Sequence, residues 1–299
     1  MYKRLSTQSE LGFFLQVDTV AKRKRLNNIY TQVAIEEKWP AATRYDQVSE
    51  WTFTCRVQNP SGLSIHDACS FTYLDYAGER ITDETDDEDG GVEFDNRLKN
   101  ADALLGLLDG QRLCSLMKGE KVGKVWAIKD LGNMIQEMQK MEGSDKPVYF
   151  VISKWDIVEQ SYSLEQIRDR LLEIDEFKNL IKLRNQAKST VRLIPVSAVG
   201  KGFAISQPDG SMKKTGELPK PFQVEVPLAC ILTDKIKQQI DEILEKHKAE
   251  QAKNTAEQAK NTEVKPDIGS FDWLRQLFAD GLKVSPQYSG VKSYSGFHK

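Results

Sequence analysis

The chain has 299 residues, of which 42 are basic and 44 acidic, giving a net charge of -2, and its mean hydropathy is -0.51. A chain of this length buries a hydrophobic core without disulfides or a structural metal. No apolar run nears the roughly 20 residues of a bilayer span, and the basic opening Met1–Arg4 lacks the apolar stretch of a signal peptide, so a cytoplasmic protein with no membrane span is expected. There is no basic excess or stripe of the kind that binds nucleic acid. Cys55, Cys69, Cys114 and Cys230 form no CxxC pair, and His66, His247 and His298 are scattered. These spacings exclude most zinc enzymes and histidine-based hydrolases and fit reduced thiols.

In chain order, residues 12–37 carry Val20, Leu26, Ile29, Tyr30 and Val33 at helical spacing, and the helix should stop before Trp39-Pro40. Residues 50–57 (EWTFTCRV) alternate polar and apolar as a half-solvated strand does. Four apolar runs, 70–74 (SFTYL), 103–108 (ALLGLL), 148–152 (VYFVI) and 191–196 (VRLIPV), predict buried strands. Helical patterns at 123–141 and 163–183 separate the later ones, and a long helix is expected from Pro227 to about His247. The acidic run 83–89 reads as a solvated loop. This alternation predicts an α/β fold, a doubly wound and mainly parallel sheet.

Beyond the last of these helices the chain changes character. A polar linker at 248–268 contains AEQAKNT twice in tandem, too few copies for a solenoid. In the segment 269–299, Ser270 caps an amphipathic stretch whose Phe271, Leu274, Leu277 and Phe278 recur every three or four residues. That stretch should dock, either on a protein partner or back on its own domain, and the remaining residues form a flexible tail.

The chemistry lies in the loops that leave the strands. After 70–74 comes Asp75-Tyr76-Ala77-Gly78-Glu79; after 148–152, Ser153-Lys154-Trp155-Asp156; after 191–196, Ser197-Ala198-Val199-Gly200-Lys201-Gly202. Ligands of open α/β sheets bind beyond the carboxyl ends of parallel strands, so the three loops should line one crevice. Each suits a guanine nucleotide. Asp75 can hold Mg²⁺ through water, and Gly78 can offer its amide to a terminal phosphate at close approach. Asp156 can accept from the guanine N1–H and exocyclic amine, which adenine cannot satisfy. The Lys154 stem can lie along the base, and the Ala198 amide can donate to guanine O6. Taken singly, DxxG is common in turns and SKxD can be a helix cap; three such motifs in this order, each after an apolar strand, are specific.

On the motifs DYAGE, SKWD and SAVGKG the chain resembles a GTPase of the P-loop class, and most of all the bacterial double-GTPase-type domains linked to multi-component conflict systems. The resemblance covers residues 1–247. It implies GTP/GDP and Mg²⁺ as ligands, with Ser153, Lys154, Asp156, Ser197 and Ala198 around the base. It also implies Thr43 beside Asp75 at the metal, and Gly78 and Glu79 at the γ-phosphate, with protein partners read through the switch loops.

The chain departs from the family's pattern in three places. The phosphate cradle GxxxxGK[ST] is absent; Gly119 to Val125 (GEKVGKV) has the wrong spacing and order. The opening Tyr2-Lys3-Arg4-Leu5 resembles the helix that comes after the cradle, so the cradle and the first strand are expected to fall before Met1. That strand is central in the fold, between the strands ending at Leu74 and Leu108, and its loss would leave two strand edges to be paired or covered. Ser153 stands where Asn or Thr is usual, and Glu79 where Gln often orients water, which predicts slow hydrolysis. The expectation is a guanine-nucleotide switch that hydrolyses GTP slowly or not at all; the alternative is a degenerate GTPase-fold scaffold without turnover. An adenine-nucleotide kinase is disfavoured by Asp156 and Ser197-Ala198.

Overall fold

The computed structural model describes residues 5–6, 13–36, 38–39, 48–58, 65–76, 96, 100–139, 146–187, 189–207, 212–235 and 245–246. The expected linker, tail helix and acidic loop lie outside them.

Residues 13–17 form a strand, β1 (Phe13–Val17), where a helix was expected from residue 12. Phe13, Leu15 and Val17 alternate inward, and this period of two governs those five residues. At Thr19 the conformation changes: its hydroxyl oxygen accepts from the Lys22 amide and caps α1 (Val20–Ala34). The helix ends ahead of Trp39-Pro40, as predicted. Trp39 then packs edge-on against Phe203 at 6.0 Å, with the Lys214 ammonium 4.5 Å from its ring centroid.

β2 (Val48–Gln58) pairs antiparallel with both β1 and β3 (Ile65–Tyr76), giving the order β1-β2-β3. The alternation read at 50–57 is real: Trp51, Phe53, Cys55 and Val57 are buried and their neighbours are not. The strand predicted at 70–74 exists but is not buried. Phe71 is half-buried and Tyr73 is 55% exposed although they lie opposite buried Phe53 and Trp51, because β3 is an edge strand of its sheet.

A second, parallel sheet has the order β4-β5-β6, from β4 (Leu104–Asp109), β5 (Val148–Ser153) and β6 (Val191–Pro195). β5 lies in the middle and is buried throughout its first five residues. β4 is apolar on both faces, yet Leu105 and Leu107 are 51% and 68% exposed while Leu104 and Leu108 are buried. Among the described residues the expected single, mainly parallel sheet is therefore two three-stranded sheets, one antiparallel and one parallel. β3 and β4 do not pair with each other. A small hairpin pairs β7 (Ala204–Ser206) with β8 (Met212–Lys214).

The helix after β4 escaped the sequence reading. α2 (Gly110–Met117) begins directly at the strand end, capped by Asp109, whose Oδ1 accepts from the Gln111 and Arg112 amides at 2.8 and 3.2 Å. α3 (Lys121–Trp126), a π turn (Ala127–Leu131) and α4 (Gly132–Gln139) continue in one helical run. Gly123 is buried against α2, where a Cβ would overlap the Leu116 backbone. The glycines of GEKVGKV thus serve a turn after α2 and a helix–helix contact, not a phosphate loop.

After β5 come α5 (Trp155–Val158), α6 (Leu164–Leu172) and α7 (Asp175–Gln186). The helix expected over 163–183 breaks at Ile174, whose extended backbone starts α7 afresh. Ser163 and Gln166 form the capping box that opens α6. These helices and α2–α4 bury one face of the parallel sheet, where Phe150 meets Phe177 at 4.8 Å between ring centroids. Residues 226–235, here α8, are helical. Val226 and Cys230 of α8 pack on the other face with Tyr149 and Ile194, while Leu228, Ala229 and Leu232 enter the core of the antiparallel sheet. One helix with two apolar faces thus joins the two sheets.

Candidate functional site

The residues singled out in SKWD and SAVGKG meet at the carboxyl end of the parallel sheet. β5 and β6 run side by side, with Ile152 opposite Pro195, so their loops leave from adjacent points. The Trp155 amide donates to the Val196 carbonyl at 3.1 Å and holds the first loop against the second. Lys154, between them, adopts the left-handed conformation (φ 52°, ψ 38°), sparsely populated for a residue with a Cβ. Such a residue persists only where its surroundings hold it.

The centre of the arrangement is Asp156, 9% exposed, at the first turn of α5. The Ser197 hydroxyl, 1% exposed, donates to Asp156 Oδ1 at 2.6 Å and accepts from the Gly200 amide at 2.8 Å. A hydroxyl can donate once and accept twice, so Ser197 relays the turn of its own loop onto the carboxylate. Each carboxylate oxygen carries two acceptor sites, so Oδ1 retains one beside Ser197 and Oδ2 adds its own. Gly200 has φ 76°, and a Cβ there would overlap the Lys220 carbonyl oxygen, so only glycine lets this loop close. The Ser197 backbone also exchanges two hydrogen bonds with Phe222, at 3.0 and 2.8 Å, which fixes the loop's base. Ala198 is exposed at its tip.

A third strand end joins the first two. The Ser153 hydroxyl donates to the Leu108 carbonyl at 3.1 Å, and Lys154 Nζ donates to Asp109 Oδ2 at 2.8 Å and to Gln111 Oε1 at 3.2 Å. The Lys154 stem is thereby drawn from the end of β5 to the start of α2. At this exposure, 42% and 37%, the Lys154–Asp109 ion pair contributes on the order of 0–1 kcal/mol, so its effect is mainly to position the side chain. Gly110 permits the approach, since a Cβ there would overlap the Ser153 carbonyl oxygen. Asp109 and Gln111 were missed from sequence. The legible signal was an Asp at a strand end with a helix behind it, the pattern of an N-cap.

Five of the nine candidate residues, Ser153, Lys154, Asp156, Ser197 and Ala198, are thus brought together. The other four are not tested by this geometry. Thr43, Gly78 and Glu79 lie outside the described residues, and Asp75, expected in the loop after 70–74, is the penultimate residue of β3, with only its backbone described. The loop after β3 was expected in the same crevice, but β3 runs in the antiparallel sheet, so its end does not continue the row formed by β4, β5 and β6. Among the described residues no three His, Cys, Asp or Glu side chains gather as a metal site, and no helix is long and apolar enough to cross a membrane.

Behind the site, on the opposite face of the sheet, Arg192 grips Asp234 of α8 through two hydrogen bonds of 2.9 and 2.6 Å, and the Tyr149 hydroxyl donates to the same carboxylate at 2.7 Å. Burial, with Asp234 adding, pushes the Tyr149 hydroxyl far above its ordinary value, and the hydrogen bond to Asp234 raises Arg192 further. Burial also pushes the Cys230 thiol up to about 11. This cluster anchors α8 and reaches no loop of the candidate site. A separate cavity of about 300 Å³ lies between β1 and α1, but Asp18, the acidic group on its wall, is paired with Lys22 at 2.7 Å. The chemistry of the strand-end loops does not lie in that cavity.

Comparison with family models, curated proteins and solved structures returned no match.

Proposed function

We propose that this chain binds guanine nucleotides through the loops after β5 and β6 and acts as a GTPase-like switch protein whose GTP hydrolysis is slow or absent. One observation carries the reading: a buried carboxylate, Asp156, is held by Ser197 from the neighbouring loop at 2.6 Å, beside a lysine stem drawn across the strand ends. A planar edge with two adjacent N–H donors is the ligand such an acceptor satisfies, and guanine presents that edge while adenine does not. The Lys154 stem would offer an apolar flank to the base, and the amide of Ala198, at the exposed loop tip, would donate to O6.

Asp75 and Thr43 are the residues that would hold Mg²⁺, which when bound would neutralise phosphate charge. Gly78 and Glu79 would face the γ-phosphate, where the Glu79 carboxylate, repelled by phosphate, disfavours hydrolysis. The sequence carries no GxxxxGK[ST] run, and GEKVGKV is built into helical packing. The base contacts are therefore the part of the site these residues supply most completely.

A second reading, a degenerate GTPase-fold scaffold without turnover, is favoured by the separation of β3 from β4 and by Leu105 and Leu107 facing outward from β4. Calorimetry with guanosine, GDP, GTP and ATP, beside a phosphate-release assay, decides between them. Guanine-selective binding with negligible release is the expected result, and slow release would mark an active switch. Equal or undetectable binding of guanine and adenine ligands would reject the nucleotide reading and leave the scaffold.

A further inference from the structure

The ladder between β2 and β3 sets Cys55 directly opposite Cys69. Opposed residues of an antiparallel pair point to the same face, with Cα atoms about 4.5–5.5 Å apart. That spacing falls inside the range of about 4.4–6.8 Å that a disulfide bridges. The register slips between Cys55 and Arg56, and an irregularity of this kind bends and twists the strand where the two cysteines meet. Cys55 is fully buried, while Cys69 is half-buried at the edge of the same apolar cluster.

The two thiols face each other across the ladder. The Cys55 thiol beside it holds Cys69 below the ordinary thiol range, and Cys69, with burial adding, drives Cys55 far above it. The other two cysteines, on α2 and α8, have no thiol opposite them; burial raises Cys114, and Cys230 likewise.

We propose that Cys55 and Cys69 are a redox modification site that closes to a reversible cross-strand disulfide, Cys69 attacking and Cys55 resolving. With hydrogen peroxide as oxidant, the Cys69 thiolate attacks one peroxide oxygen. An S–O bond forms, the O–O bond breaks and hydroxide leaves, which gives a sulfenic acid. The Cys55 sulfur then attacks the Cys69 sulfur. The S–S bond forms, the S–O bond breaks, and the departing hydroxide takes the Cys55 proton as water. The two thiols together lose two electrons and two protons, and the peroxide becomes two waters. The half-buried position of Cys69 gives peroxide access, while burial of Cys55 keeps it from reacting first. The closed bridge staples β2 to β3 upstream of Asp75 and is independent of the nucleotide reading.

The test uses the full chain, treated with hydrogen peroxide, alkylated under denaturing conditions and mapped by mass spectrometry. The expected result is four alkylated cysteines before oxidation and two after, with the Cys55 and Cys69 peptides joined and dithiothreitol restoring all four. Cys55→Ala should leave Cys69 as a sulfenic acid that dimedone captures. Cys69→Ser, the milder change because that side chain is only half-buried, should leave Cys55 reduced under the same peroxide. An unchanged thiol count, a bridge to Cys114 or Cys230, or a bridge between two chains would overturn the proposal.

Discussion

Replacing Asp156 with Asn separates the role of its charge from the role of its shape. In the native loop Oδ1 accepts from Ser197 at 2.6 Å. The asparagine carbonyl can still accept from that hydroxyl, so the loop keeps its brace and the cost to folding should be on the order of 1 kcal/mol. At the ligand edge the change is larger, because an amide NH₂ replaces an anionic acceptor and meets the N–H donors of guanine. Loss of a charge-assisted hydrogen bond costs about 1.5–3 kcal/mol, equivalent to roughly 10- to 150-fold in affinity. Xanthine carries a carbonyl where guanine carries the amine, so binding of its nucleotides should rise relative to guanine nucleotides. Calorimetry with GDP and xanthosine diphosphate, beside a thermal unfolding control, measures both effects. Equal GDP affinity in Asp156→Asn and the native chain, with both folded, would refute the assignment of this carboxylate to the base.

Asp109→Ala removes the α2 cap and the partner of Lys154, so calorimetry should show guanosine binding about tenfold weaker, with about 1 kcal/mol lost from urea-unfolding stability. Gly200→Ala forces a Cβ into the Lys220 carbonyl at a positive φ, and calorimetric melting should show a loss of about 2 kcal/mol or more. Asp234→Ala strands Arg192 and the Tyr149 hydroxyl, and chemical denaturation should register a loss of about 3 kcal/mol. Cys230 ionises near 9.0 when unfolded and at about 11 when folded. Its contribution, on the order of 2–3 kcal/mol, should be complete below pH 9 and lost as pH rises to 11, a loss that Cys230→Ala should flatten in urea titrations at the two pH values.

The sequence disclosed most where one physical signal acted alone. Residues 148–152 are apolar without interruption, and they form the central strand of the parallel sheet, covered on both faces. The alternation at 50–57 likewise became a strand with one buried face. Reading failed where two signals overlapped. Phe13, Leu15 and Val17 alternate as a strand but run directly into a helical pattern, and the longer periodicity concealed the shorter. The run 103–108 gave no sign that Leu105 and Leu107 would stay exposed, because burial on a second face depends on what covers it, not on the strand itself. At the site, SKWD and SAVGKG were legible because each comes directly after its strand. The Lys154–Asp109–Gln111 contact joins positions more than forty residues apart and needed the strand order to appear.

The π turn at Ala127–Leu131 works as a phase shifter in the helical run between α2 and β5. Buried positions along that run fall at 123, 126, 127, 131, 132, 135 and 138, and the series 123, 127, 131, 135, 138 makes four turns in 15 residues. Four ideal α turns take only about 14.4 residues, so an unbroken α-helix would rotate its later apolar positions off the sheet. The wider turn absorbs the surplus and lets Gly123 face α2 while Ile135 and Met138 still face the sheet. The two ends of the run are therefore indexed separately, each to the surface it packs on. A residue deleted within 127–131 would remove the offset and set one end against the other, whereas the same deletion in a solvent loop would leave both contacts in phase.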